Sequence, residues 1–185
     1  NLLTNPQDKF IIYGLFNGIS GKENQHLSNL KAKDIDLENG KIYIPDRVVA
    51  MDEYMKDICV DMLDPVFGAT YYRYIDDKKN NLCPDNYELN FKSEYAIKSR
   101  PTNMNSDGLE PMKKEGIKTR LHKLSKVTGM SLSSKDLVRS GVMHKMNKIK
   151  KTGWTVVEIK EFLNQNNFKM QPFALQKLYD LKYGN

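Results

Sequence analysis

Cysteine is nearly missing from this chain. Among 185 residues only Cys59 and Cys83 occur, too few for a disulfide framework and at a spacing that matches no zinc motif. A reducing, cytoplasmic setting is therefore expected. Histidine is as sparse: His26, His122 and His144 stand far apart with no ligand spacing, so neither a metal site nor a cofactor is expected. Long apolar runs are missing too. None approaches the roughly 18 residues that a membrane helix needs, and mean hydropathy is −0.62, which excludes a membrane-spanning protein. No secretory leader is recognisable. The chain opens at Asn1 rather than Met and is read as part of a longer protein. Its length suits one domain.

What the chain has in excess is positive charge, and only in one half. The net charge is +6. Residues 1–92 hold 11 Lys/Arg against 15 Asp/Glu, whereas residues 93–185 hold 18 against 8. Between Lys113 and Lys151 there are 12 basic residues and two acids, Glu115 and Asp136. A one-signed field over half a domain calls for a polyanionic partner. Nucleic acid is the first candidate and an anionic membrane surface the second. The plainer alternative is a solvated lysine face.

Punctuation residues divide the chain. Asn5 or Thr4 caps a helix that starts at Pro6 and stops in the Gly18–Gly21 segment. A short helix fits Glu23 to Leu30. Asn39-Gly40 is a strong turn signal, and strands at Lys41–Ile44 and Arg47–Met51, joined by a turn at Pro45-Asp46, fit a small antiparallel unit from about Ile35. Asp52 caps a helix over Glu53–Leu63, with Tyr54, Ile58 and Met62 as its apolar stripe. Residues 66–92 are Tyr-rich and ambiguous, and Tyr71, Tyr72, Tyr74 and Tyr87 could pack or stack on bases. Tyr95-Ala96-Ile97 fits a short strand. A basic helix runs from Pro111 to Thr128 and is closed by Gly129. Ser133 or Ser134 caps the next, to about Lys150. Thr155 with Glu158 forms a capping box for Val156–Leu163. Pro172 opens a last helix, Phe173–Leu181. Trp154 and Cys59 read as core residues.

Three strings in this order resemble the boxes of the tyrosine recombinase, or phage integrase, catalytic domain. Ser20-Gly21-Lys22-Glu23-Asn24-Gln25-His26-Leu27, with Leu30, Asp34-Ile35-Asp36-Leu37 and Asn39-Gly40, is similar to T-G-L-R-x-S-E-L … L-x-W-x-D-I-D. Ser134-Lys135-Asp136-Leu137-Val138-Arg139-Ser140 is similar to H-D-L-R-x-S. Gly153 to Leu163-Asn164-Gln165 is similar to G … L-G-H. The resemblance implies an α+β, mainly α fold with a small antiparallel sheet. Residues 1–185 would be one integrase-like C-terminal domain, forming half of a C-shaped clamp on duplex DNA, with the N-terminal arm upstream of this chain.

In that family a Tyr hydroxyl attacks a DNA phosphodiester. Two Arg side chains clamp the non-bridging oxygens, while a hairpin Lys and His residues move protons. Here Glu23 stands at the first Arg position and His26 at the acid that follows it. Lys135 stands at the second box's His. Val138 takes the second Arg position, with Arg139 one residue on, about 100° around a helix. Gln165 stands at the third box's His. The hairpin Lys has no clear counterpart; Lys41 and Arg47 are nearest. Tyr179 is the nearest match to the nucleophile, several residues too far from Gln165, and Tyr183 is a second option. A single lost donor of this kind is worth about 3–4 kcal/mol of transition-state stabilisation. A degenerate site without strand cleavage is therefore expected, with Tyr179 packing beside Phe173, Leu178 and Leu181.

The basic face remains. Lys113, Lys114, Lys118, Arg120, Lys123 and Lys126, with Lys135, Arg139, Lys145 and Lys148, are the expected DNA contacts, mostly to phosphates, which give affinity rather than sequence information. The reading is a sequence-specific double-stranded DNA-binding protein without recombinase activity: a phage or prophage transcriptional repressor controlling lysogeny, nucleoid-associated in a bacterial cytoplasm. The low-Arg, Lys- and Asn-rich composition suits such a source. Exchange of the C-terminal helix would allow self-association. The rivals are an active recombinase using Tyr179 and a protein-interaction module without DNA binding.

Overall fold

The computed structural model describes residues 3, 5–66, 70–76, 81–86, 89–102, 104 and 106–184, with the backbone alone described over 70–76 and 81–86. Its elements in order are α1 (Pro6–Phe16), α2 (Gln25–Ser28), β1 (Ile35–Asp36), β2 (Lys41–Ile44), β3 (Arg47–Ala50), α3 (Glu53–Leu63), β4 (Thr70–Asp76), β5 (Asn81–Asn86), α4 (Lys114–Thr128), α5 (Ser134–Ile149), α6 (Val156–Gln165) and α7 (Pro172–Tyr183). The architecture is α+β and mainly α.

Four side chains set the helix starts by accepting orphan backbone N–H groups. Asn5 Oδ1 accepts from Gln7 N at 2.8 Å, Asp52 Oδ1 from Met55 N at 2.9 Å and Ser133 Oγ from Asp136 N at 3.1 Å. Thr155 Oγ1 accepts from Glu158 N at 3.2 Å while Glu158 Oε2 accepts from Thr155 N at 2.7 Å, a complete capping box. Gly129 ends α4 at φ 68°. The sheet β1-β2-β3 is antiparallel, with Ile42 opposite Ile35 and Val49. Along β2 the pattern alternates, Ile42 and Ile44 inward and Lys41 and Tyr43 outward, the period-2 signature of a half-buried strand.

Helix α1 lies at the centre and packs against α3, α4 and α5, while α7 closes over α5 and α6. Phe10, Ile11 and Leu15 from α1 meet Leu27, Ile42, Ile58, Ile117, Val142 and Met146 in a single core. The closest approach is at Gly141. A Cβ placed there would lie 1.6 Å from the Phe16 carbonyl oxygen, so α5 crosses the end of α1 with no room for a side chain. A second tie is electrostatic. Asp8 and Arg120 are both largely buried, and Arg120 Nε donates to Asp8 Oδ1 at 2.7 Å, joining α1 to α4.

Several expectations are corrected. The helix predicted over Glu23–Leu30 is confined to Gln25–Ser28, because Glu23 (φ 54°) and Asn24 (φ 67°) adopt left-handed backbone. Helix α4 starts at Lys114 rather than Pro111, since Lys113 is extended (φ −63°, ψ 150°) and Met112 is buried ahead of it. On α3 the inward stripe is Met55, Ile58, Cys59 and Met62, with Tyr54 exposed. Its ring instead stands edge-on to Tyr13, with centroids 5.0 Å apart. Tyr95-Ala96-Ile97 makes one bridge, Tyr95 to Lys31, because the partner segment turns at once into a 3-10 turn over Ala32–Asp34. The ambiguous, Tyr-rich segment 66–92 contains the antiparallel strand pair β4-β5. The roles suggested for the side chains of Tyr71, Tyr72 and Tyr74, and for Tyr87, lie outside the described residues. On α7 the buried residues are Leu175 and Tyr179, whereas Phe173 and Leu181 are exposed.

Asp8→Ala should cost about 3–5 kcal/mol, because it removes the carboxylate that pairs with the largely buried Arg120 guanidinium. The double variant Asp8→Leu/Arg120→Met should recover most of that loss. Urea unfolding of the three proteins checks both statements. Gly141→Ala should be at least as damaging, at or beyond the ~3 kcal/mol upper range of overpacked cores.

Candidate nucleic-acid interface

The Gly18–Asn24 loop follows α1 and is fixed by its unusual backbone. Gly18 (φ 86°) and Gly21 (φ 67°) turn the chain, and Glu23 and Asn24 follow in the left-handed region, which costs non-glycine residues energy and is held only by surrounding structure. The consequence is a division of directions. Asn24 is buried and lines a cleft, whereas the Glu23 carboxylate reaches α4 and pairs with Lys114. That ammonium holds the Glu23 carboxyl below its usual range.

The cleft, of about 400 Å³, is where two of the three sequence boxes meet. Ser20, Gly21 and Asn24 come from the loop. Ser134, Lys135, Val138 and Arg139 come from the first turns of α5, and Lys169 comes from the segment between α6 and α7. Met170, Ala174 and Leu175 complete an apolar floor with Val138. Among the described residues, three cations line the cleft and no carboxylate does. Arg139 Nη1 forms an ion pair with Asp136 Oδ1, one helical turn back, at 3.7 Å. Such a cleft can hold a phosphate-sized anion against several donors. Val138 and Arg139, which compete for the family's second Arg position, both line it.

Gln165 does not join this cleft. It lines a second one, of about 630 Å³, between the β2-β3 hairpin and the end of α6, with Arg47, Lys145 and Asn164. Arg47 acts there as a structural clip. Its Nη1 donates to the carbonyls of Asn166 and Asn167, each at 3.2 Å, and its Nη2 donates to the Gly18 carbonyl. The guanidinium lies 4.5 Å over the Phe168 ring. A cation at the carbonyl end of α6 complements the helix dipole. Burial lowers the pKa of Arg47 and that of Lys145, with the nearby Arg47 and Lys148 charges adding to the effect on Lys145. Lys41, the other cation of the hairpin, is exposed on β2.

Tyr179 is 1% exposed. Its hydroxyl lies 2.9 Å from the carbonyl oxygens of Lys150 and Lys151 and 3.2 Å from Asn147 Oδ1. Burial raises its pKa. In this arrangement the hydroxyl faces the end of α5 and not the cleft; Tyr183 packs against it, ring to ring, at 4.9 Å.

The remaining basic residues divide. Lys113, Lys118, Lys126 and Lys148 are exposed, and Lys123 is half-buried. Lys114 and Arg120 are committed to Glu23 and Asp8, so Arg120 is a core residue rather than a surface contact. Lys135 and Arg139 line the first cleft and Lys145 the second. Lys169 was missed in the sequence because it sits in an irregular connection with no periodicity to single it out. His26, at the family's acidic position, is buried with its ring against Gly21, and its Nδ1 lies 3.7 Å from Asp46 Oδ1. Among the described residues no group of His, Cys, Asp and Glu could hold a metal ion, and no helix is long and apolar enough to cross a membrane.

Residues 1–178 match the family model described as "MrpR, C-terminal catalytic domain". No curated protein matches the chain.

Burial lowers the pKa of His26 below 6.5, with Asp46 opposing and Arg47 and Lys169 reinforcing the shift. The folded state then binds fewer protons than the unfolded chain in the window just below the unfolded pKa of about 6.5. Stability should fall as pH drops from about 7 through that window and level off once the folded histidine is itself protonated. Denaturant midpoints between pH 7 and 5 check this, and His26→Gln should remove that part of the slope.

Proposed function

The chain belongs to the MrpR C-terminal catalytic-domain family, an integrase-type catalytic domain, and on that premise we propose that it binds double-stranded DNA sequence-specifically without cleaving it. Such a protein occupies sites as a transcriptional repressor, and we extend the reading to control of lysogeny in a prophage, in resemblance to the integrase-like repressor YopR of SPβ-type prophages. The observation that carries the reading is the first cleft. Lys135, Arg139 and Lys169 converge there with no carboxylate among the lining residues, a setting in which a backbone phosphate replaces bulk counterions. The exposed Lys113, Lys118, Lys126 and Lys148 extend positive charge beyond it.

Absence of cleavage is supported by the groups where chemistry would be needed. At the two Arg positions stand Glu23, which is paired with Lys114, and the buried Val138. The Tyr179 hydroxyl is enclosed by the end of α5. The word "catalytic" in the family description keeps an active recombinase as the second reading. It would require α7 to swing out, at the cost of exposing Leu175 and Tyr179, which are buried in this structure.

Two experiments test the proposal. Duplex affinity should fall steeply with salt, with a log–log slope near −0.9 per phosphate contacted, and Lys135→Ala, Arg139→Ala and Lys169→Ala should each reduce that slope by about one contact. Salt-independent or undetectable binding at low salt would favour an interaction module. On a nicked suicide duplex no covalent adduct should form; an adduct that disappears in Tyr179→Phe would establish the recombinase instead.

A further inference from the structure

The second cleft is unlike the first. Its wall is a run of side-chain amides at the end of α6, and three of the five amides near it are used internally. Asn17 Nδ2 donates to the Tyr13 carbonyl at 3.0 Å, Asn166 Nδ2 to the Phe162 carbonyl at 2.9 Å and Asn167 Nδ2 to the Asp46 carbonyl at 2.8 Å. The other two, Asn164 and Gln165, are exposed, line the cleft, and make no side-chain hydrogen bond among the described residues. The wall behind them is held by the Arg47 clip. Two adjacent open amides thus stand on a rigid support, which is the condition for reading a hydrogen-bond pattern rather than adapting to any.

We infer that Asn164 and Gln165 read base edges and favour A·T over G·C pairs. The inference rests on the DNA-binding reading above and adds where sequence discrimination resides. An Asn or Gln amide matches adenine N6 and N7 bidentately in the major groove. In the minor groove its N–H donates to adenine N3 or thymine O2, where guanine would present an opposing N2–H donor. Both grooves therefore give the same preference. The spacing of the two clefts suits one duplex. Val138 in the first and Lys145 in the second lie seven residues apart on one face of α5, about 10 Å at 1.5 Å per residue. That is comparable with the ~12 Å width of the major groove. One ligand can place a phosphate in the cationic cleft while base edges meet the amides, with Lys145 supplying a phosphate contact beside them.

Selection from a randomised duplex library tests this, using the full chain and the double variant Asn164→Ala/Gln165→Ala. Wild type should enrich a site with at least one position that prefers A·T over G·C by ~5- to 150-fold, the range of one good side-chain–base pairing. The double variant should become indifferent at that position and keep its other preferences and its salt slope, because the amides carry no charge. Lys145→Ala should do the reverse, keeping the site and lowering the slope by about one contact. Both amides are exposed, so matched thermal melts are the folding control. An unchanged site in the double variant overturns the inference, as does a uniform loss at all positions. Wild-type binding without sequence preference overturns it while leaving non-specific DNA binding intact. No duplex binding by wild type overturns the DNA-binding reading as well.

Discussion

Everything at the interface depends on one steric constraint, the crossing of α5 over the end of α1 at Gly141. With a Cβ there only 1.6 Å from the Phe16 carbonyl oxygen, the crossing distance is set by backbone contact rather than by side chains. The residues that follow Phe16 form the Gly18–Asn24 loop, and the residues that precede Gly141 on α5 are Lys135, Val138 and Arg139. The crossing therefore presses two chain segments, over a hundred residues apart in sequence, against one cleft. Interiors pack at crystal-like density and transmit such a restraint with little loss. The Arg47 clip to Gly18, Asn166 and Asn167 does the same for the hairpin and the end of α6, so the two clefts share one frame.

The positive charge serves two different ends. Arg120 with Asp8, Lys114 with Glu23, and Arg47 with backbone carbonyls hold elements together. Charges paired in this way are largely neutralised by their partners, Arg120 in the interior and Lys114 at the surface, and contribute little to a long-range field. Lys135, Arg139 and Lys169 instead gather where no acid lines the wall. A net charge of +6 thus overstates the structural cations as ligand contacts and understates the local field in the cleft, where three cations meet and, among the described residues, only Arg139 has a carboxylate, Asp136, as its ion-pair partner.

The helix starts were readable from local residues because capping is a local transaction between a side chain and an N–H two or three positions on. Asn5, Asp52, Ser133 and Thr155 each cap as their positions suggested, and the Asn39-Gly40 turn lies between the paired strands β1 and β2. The face of α3 was misread by one residue because tyrosine is amphipathic: Tyr54 lies on the rim beside Tyr13, and Met55 takes the core position. Glu23 was expected on a helix because nothing local forbids it; the left-handed backbone at Glu23 and Asn24 is sustained by the Lys114 pair and by the burial of Asn24. Lys169 carries no periodic signal at all.

By itself the sequence determined which segments are helical, where the side-chain-capped helices begin, that the second half carries the cations, and the family to which the boxes point. These follow from side-chain chemistry acting over a few residues. Only the tertiary structure decided which cations face solvent and which are locked into the core, that Lys135, Val138 and Arg139 meet Gly21 and Asn24 while Gln165 goes to a separate cleft, and that the Tyr179 hydroxyl points into the end of α5. Those outcomes depend on how close two backbones approach at Gly141 and on which carbonyls Arg47 reaches, and such distances between remote segments are not encoded in any short stretch of chain.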